Sequence, residues 1–260
     1  MTDTSETGKR IAGIHGTGTL FKFMGKYFLI SASHVLEQID QKNEKNIGIP
    51  IDKNKPDLIT LLNCKIYTFN KEEIREKCDF GIIGLTNELG ESLEQNYIFL
   101  NEKNITFKLY EEMTIIITGY INKHTIFDNN NILYIPAPFK LMSRRKVPEK
   151  NYSEYDPRIH ILAEYGKTLF FGGDENKHIP AEQELKGISG SSMWTIEDDS
   201  SVIWSAEKCV KVIGIQSAFM EEEYIKGTKW KYTAEAFKYI DTNIYSLLIE
   251  CKSKAVSKTN

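Results

Sequence analysis

Short apolar runs separated by polar turns recur along most of this chain, a pattern that belongs to strands rather than to long helices. The clearest pair, Thr19 to Phe23 and Lys26 to Ile30, flanks Met24-Gly25 and reads as a hairpin. Further strands are expected over 58–62, 65–69, 80–85, 113–120, 132–135, 159–165, 192–196 and 210–217, many rich in Ile, Val or Tyr. Helical periodicity is clear only near the C-terminus. There Phe237, Ile240, Ile244, Leu247 and Leu248 recur at intervals of three and four. The polar stretches 40–45 and 71–77 read as loops. The fold class expected is all-β. Two β units are joined between Asn87 and Glu112, and a helix closes the chain.

Composition narrows the function classes. The chain has 260 residues, 41% of them hydrophobic and 27% charged, which excludes wholesale disorder. A net charge of −3 offers no electrostatic footprint for nucleic acid, and Arg144-Arg145-Lys146 reads as a solvated loop. No apolar run approaches the roughly 18–20 residues that span a bilayer, so no membrane partner is expected. The N-terminus from Met1 is polar and lacks the apolar stretch of a secretory signal. Cys64, Cys78, Cys209 and Cys251 are scattered, with no CxxC pair and no His at zinc-ligand spacing. They read as reduced thiols, which makes the cytoplasm the expected compartment. No metal and no cofactor is implied.

Three segments carry chemistry. In Leu185-Lys186-Gly187-Ile188-Ser189-Gly190-Ser191-Ser192, small residues surround one serine and run straight into an apolar strand. Glycines allow a tight turn that leaves backbone N–H groups free for a developing oxyanion. Serine alone is a poor nucleophile, so it needs a base, and the base needs an orienting carboxylate. In Ile30-Ser31-Ala32-Ser33-His34-Val35, a histidine follows a buried strand and small residues. In Cys78-Asp79-Phe80-Gly81-Ile82-Ile83-Gly84-Leu85, an aspartate opens an apolar strand. Each segment alone also fits a bland role, respectively a loop, a strand-capping histidine and a turn residue.

Together, and in the order His, Asp, Ser, they resemble the chymotrypsin-type, trypsin-like serine peptidase family. Gly16-Thr17-Gly18-Thr19-Leu20 resembles the family's strand before the histidine, and Val212 to Ser217 resembles its peptide-pairing strand. The resemblance spans roughly residues 11 to 248. It implies two six-stranded antiparallel β-barrels. The first, over 10–100, carries His34 and Asp79; the second, over 101–232, carries Ser189; a C-terminal helix over 233–250 follows. It further implies Ser189 as nucleophile, His34 as base, Asp79 as orienter, and an oxyanion hole from the N–H groups of Gly187 and Ser189. Substrate-binding positions carried over are Gln183 near a pocket base, Ser217 and Ala218 on the strand edge, and Phe219 narrowing the wall. The partner expected is a protein or peptide substrate.

The departures are informative. Ile188 stands where secreted members have the Asp that receives a newly cut N-terminus. Val35 and Leu185 stand where their disulfide cysteines would be, and Ser191-Ser192 replace the usual Gly-Pro. These point to an intracellular, bacterial-type branch. His178, in the segment before the nucleophile, is a candidate cleft residue. The long loop from Tyr165 to Lys186 is the element expected to restrain the enzyme until an activating protein partner or ligand binds. The alternative function is a catalytically silent trypsin-fold module that presents its peptide groove. An intact triad argues against it.

Overall fold

Met24 and Gly25 both adopt positive φ, 50° and 77°, the geometry that lets a two-residue turn follow the twist of the strands it joins. They connect β1 (Gly18–Phe23) to β2 (Lys26–Ser31), which pair in antiparallel register from Gly18 opposite Ser31 to Phe23 opposite Lys26. The chain is seen in a computed structural model. It describes residues 16–41, 48–50, 58–61, 63–68, 78–120, 138–148, 152–165, 169–170, 187–197, 205–220 and 223–257.

Among the described residues the first half forms a four-stranded sheet in the order β1-β2-β6-β5, with β5 at Lys65–Tyr67 and β6 at Gly81–Gly84. A separate two-stranded ribbon pairs β3 (Gly48–Pro50) with β4 (Leu58–Thr60). Helix α1 (Ser33–Gln41) follows β2 directly, so the polar stretch expected to be loop is helical at its start. A second helix, α2 (Asn87–Glu94), occupies the expected junction. Thr86 caps it by accepting from the Leu89 N–H at 3.3 Å. Leu85, Leu89 and Leu93, four residues apart, bury its apolar side with Tyr27 and Leu36.

The second half is a seven-stranded sheet in the order β10-β8-β7-β11-β12-β13-β9. The strands are β7 (Thr114–Tyr120), β8 (Pro138–Arg144), β9 (His160–Glu164), β10 (Leu169–Phe170), β11 (Ser192–Ile196), β12 (Val210–Met220) and β13 (Tyr224–Lys229). The short helix α3 (Ala206–Cys209) leads into β12. Six of these strands, β8 to β9, curl into a half-barrel. Just past β8, Arg145 bridges Ala163 of β9, and the Lys146 N–H donates to the Leu162 carbonyl at 3.0 Å. Ile115, Ile117, Leu141, Ile161, Met193, Ile213 and Ile225 fill its core. The result is mostly β with a few helices, consistent with a chymotrypsin-like fold.

β8 and β13 fall outside the expected strands. Tyr224-Ile-Lys-Gly-Thr-Lys229 has little apolar content, yet it lies between β12 and β9. Lys226 is buried there and its ammonium donates to the Glu154 carbonyl at 3.3 Å. The run at 132–135 lies outside the described residues.

The expected C-terminal helix is two helices, α4 (Trp230–Ile240) and α5 (Thr242–Ser257). Asp241 is extended between them (φ −157°), and its carboxylate accepts from the N–H groups of Asn243 and Ile244 at 3.0 and 3.2 Å. That is N-cap chemistry restarting a helix. Phe237, Ile244 and Leu248 share one apolar cluster with Phe21, Phe23, Phe28, Phe80, Val212, Ile215 and Trp230. One core thus contains residues of both sheets and both terminal helices. The Phe237 ring stands edge-on to Phe23 and Phe28 at 5.5 and 5.1 Å, an arrangement that adds to its area burial. Phe237→Ala is expected to lower unfolding free energy by about 3–5 kcal/mol, read as a fall in denaturant midpoint at constant m-value.

Candidate active site

Helix α1 presents His34 by burying its neighbours. Val35 and Leu36 are fully buried, and their N–H groups reach back to the Ala32 carbonyl at 3.2 and 3.3 Å. Val35 packs where a Gly16 side chain would be, and Leu36 where a Gly81 side chain would be. The helix is therefore seated between the strand that starts at Gly18 and the strand that follows Asp79. His34, on the opposite side, stays exposed.

Asp79 sits between buried Cys78 and buried Phe80. The Phe80 N–H donates to the Cys78 carbonyl at 2.9 Å, closing a three-residue turn with the aspartate at its apex. One carboxylate oxygen takes the His34 backbone N–H at 3.1 Å, and the other lies 2.6 Å from His34 Nδ1. Two-point contact of this kind fixes both the position and the rotation of the imidazole. It also assigns the proton: Nδ1–H faces the carboxylate, so Nε2 is left to accept one. The hydrogen bond from Asp79 raises the His34 pKa above its ordinary 6.5, opposed by burial and helped by the charges of Asp79 and Glu37.

Ser189 is placed by its backbone. The Thr17 N–H donates to the Ser189 carbonyl at 2.8 Å, and Thr17 Oγ1 donates to the Gly187 carbonyl at 2.9 Å. Gly187 and Gly190 adopt φ of 108° and 89°, open to glycine without strain. A Cβ on Gly190 would lie 2.1 Å from both Ser31 Oγ and the Thr17 carbonyl oxygen, and 2.9 Å from the Ala32 nitrogen. The serine turn thus packs directly on the segment that leads into His34. Ser191, standing in place of a glycine, closes the turn, with its N–H and its Oγ both donating to the Ile188 carbonyl at 2.9 and 2.5 Å. Ser192 Oγ lies 2.6 Å from Thr19 Oγ1. Among the described residues nothing accepts from the N–H of Gly187 or Ser189. Both N–H groups are open to an acceptor from outside the described residues.

The substrate-binding candidates divide. Gln216 exchanges backbone hydrogen bonds with the serine turn, accepting from Gly190 N–H at 2.9 Å and donating to the Ser191 carbonyl at 2.8 Å. β11 ends opposite Ile215, and after a bulge at Ser217 β12 pairs with β13 alone among the described residues from Ala218 to Met220. Ser217 is buried and its Oγ donates to the Lys226 carbonyl at 3.3 Å. Ala218 and Phe219 are half-buried on that one-sided stretch, and the Phe219 ring stands edge-on to Tyr165 at 6.0 Å. Gln183, His178 and most of the loop after Tyr165 lie outside the described residues. Thr17, Ser31 and Ser191 build the turn's surroundings as well, a role that lies outside the three chemistry-bearing segments' own candidates. The small polar residues in Gly16-Thr17-Gly18 and Ser31-Ala32-Ser33 are the signal that could have found them.

No family model matches the chain, and no curated protein sequence matches it. Among solved structures it is similar to a thermostable serine protease, AL20, from an extremophilic microorganism. That pair has 9% identity and a TM-score of 0.46, covering 88% of this chain and 98% of that one. It is similar to the protease Anisep from Arthrobacter nicotinovorans (9% identity, TM-score 0.39, covering 88% and 92%). It is also similar to a scabies mite inactivated protease paralogue (12% identity, TM-score 0.43, covering 92% and 99%). At these identities and scores the chemistry rests on the geometry of the site itself.

Two outcomes are expected of the site as built. NMR titration of His34 gives a pKa above 6.5 that falls in Asp79→Asn. Because the folded value is raised, the pair stabilises the fold fully below pH 6.5, and that contribution is lost as pH rises through the folded pKa. A His34 pKa indifferent to Asp79→Asn would remove the pairing. Gly190→Ala is expected to cost at least about 1–3 kcal/mol of stability, because both its φ and its contacts with Ser31 and Thr17 exclude a side chain. An unchanged unfolding midpoint would contradict that.

Proposed function

We propose that this chain is a trypsin-like serine endopeptidase, a hydrolase whose triad is Ser189, His34 and Asp79. The observation that carries the reading is the two-point contact of Asp79 with His34, 3.1 Å at the backbone and 2.6 Å at Nδ1. It leaves Nε2 free to act as a base, on a residue two positions past Ala32, against which Gly190 of the serine turn packs. In the proposed reaction His34 Nε2 takes the Ser189 hydroxyl proton as Oγ attacks the scissile carbonyl. The N–H groups of Gly187 and Ser189 hold the oxyanion as it forms. Collapse breaks the C–N bond, the imidazolium delivers its proton to the leaving amine, and an acyl-enzyme remains. Water then attacks the ester, giving its proton to His34, and Ser189 is released with its hydroxyl restored. Asp79 holds the tautomer and stabilises the imidazolium in both halves of the cycle.

The substrate is a protein or peptide strand laid along β12 from the bulge at Ser217 through Ala218 and Phe219, which adds to the sheet by its main chain. Two barrels meet at this cleft in the proposed arrangement. Residues 10–100 supply His34 and Asp79, 101–232 supply Ser189, and the terminal helices close the core. No disulfide links the four cysteines, three of which are buried, which supports a cytoplasmic, bacterial-type branch. The proposed reaction is complete with the triad side chains, the backbone donors and water. Among the described residues no helix is long and apolar enough to cross a membrane.

Cleavage of a mixed peptide library is the test. The parent is expected to hydrolyse it, and Ser189→Ala to fall to the residual of about 10³–10⁴ over water that binding and an oxyanion hole supply. Since only neutral His34 is a base, the acid limb of the rate profile lies above pH 6.5, in the direction of the raised pKa. Equal cleavage by parent and Ser189→Ala would overturn the assignment. A parent that binds peptides without cleaving them would favour a silent groove instead.

A further inference from the structure

We infer that Thr17 is the positioning residue for the nucleophile turn, and that the turn reaches its working shape by folding alone, without cleavage of the N-terminus. The inference rests on the peptidase reading and concerns how that same site is assembled and controlled. A turn carrying a nucleophile and two oxyanion donors has many backbone freedoms, and glycines at 187 and 190 leave it the most. Something must select one shape. Ile188 cannot do so through charge, since its side chain is apolar and fully buried.

Thr17 can, because every polar atom it has is engaged. Its N–H donates to the Ser189 carbonyl at 2.8 Å, and its Oγ1 donates to the Gly187 carbonyl at 2.9 Å. That oxygen also accepts from the Tyr120 N–H at 3.1 Å, and the Thr17 carbonyl accepts from Ser31 Oγ at 2.6 Å. One buried residue therefore grips the turn at both the residue before Ile188 and the residue after it. It ties them to the end of β7 and to the strand that precedes His34. Holding the Gly187 and Ser189 carbonyls on Thr17 fixes the planes of the Gly187–Ile188 and Ser189–Gly190 peptides, so the backbone is pinned just after each of the two N–H donors. The Gly187 and Ser189 N–H groups are left unengaged by described residues. The contact is between residues 170 positions apart, so it forms only when the two halves have docked. The nucleophile is shaped by that docking, and partner-driven control acts on access to the cleft rather than on the turn.

The experiment compares the full chain with Thr17→Val, which keeps the shape but loses the hydroxyl, and Thr17→Ser, which restores it. The first readout is amide hydrogen exchange across residues 187–191; the second is kcat and KM on the best library peptide, with intact mass recorded throughout. Thr17→Val is expected to speed exchange in the turn and to lower kcat about 10- to 100-fold, the range for a small misplacement of a catalytic group. KM should move little, because β12 is untouched, and Thr17→Ser should recover most of kcat. The parent should be active at its uncleaved mass. Three results would overturn the inference: unchanged exchange and kcat in Thr17→Val, Thr17→Ser as damaged as Thr17→Val, or activity appearing only after N-terminal cleavage. If the parent does not cleave at all while Thr17→Val still loosens the turn, the peptidase reading fails and the catalytic role of Thr17 falls with it. A parent without activity whose turn is indifferent to Thr17→Val defeats both.

Discussion

The site depends on one short-range contact between distant parts of the chain, the seating of the Gly187–Ser191 turn on Gly16-Thr17 and Ser31-Ala32. Hydrogen bonds from Thr17 hold two of its carbonyls, and Gly190 leaves no room for a side chain between the surfaces. Everything else is arranged so that this seating has one outcome. The core cluster of Phe21, Phe28, Phe80, Ile215, Trp230 and Phe237 contains residues of both sheets and of α4, so the hydrophobic effect brings the surfaces together without regard to detail. Hydrogen bonds and excluded volume then decide the detail. Packing alone tolerates shifts of an ångström; a base and a nucleophile do not.

Helix α1 is the complementary half of the arrangement. Val35 faces Gly16, next to the residue that grips the serine turn, and Leu36 faces Gly81, two residues past Asp79. A single helical turn thus seats the residue after His34 on Gly16 and the next on Gly81, beside the segment that carries Asp79. The His34–Asp79 pair is half in solvent, with side chains 45% and 27% exposed. Its Coulomb attraction is accordingly screened, and its value lies in orientation and in holding the proton on Nδ1.

Much of this was legible in sequence where the signal is local. The hairpin at Met24-Gly25, the strands around Ile82, Ile117, Met193 and Ile213, and the segments around His34, Asp79 and Ser189 all advertise themselves through neighbouring residues. What escaped is non-local or disguised. β13 is polar in composition because Lys226 buries its stem and takes a backbone carbonyl as partner. The terminal helix breaks at Asp241 because that carboxylate satisfies the next helix's N–H groups, which periodicity of apolar positions does not see. Helix α2 carried a readable cap and a Leu85, Leu89, Leu93 spacing, but its polar exposed face resembled a linker. The role of Thr17 is invisible to any window of neighbours, since its partners lie on the far side of the chain.

The central claim is that folding makes Ser189 nucleophilic through His34. Its most direct measurement is the rate and position of phosphonylation by a fluorophosphonate, followed by mass spectrometry on the folded chain. The account predicts one adduct, on Ser189, forming at least about 100-fold more slowly in His34→Ala, as loss of a general base requires. An adduct that forms equally fast without His34, or a folded chain that takes none, would contradict it.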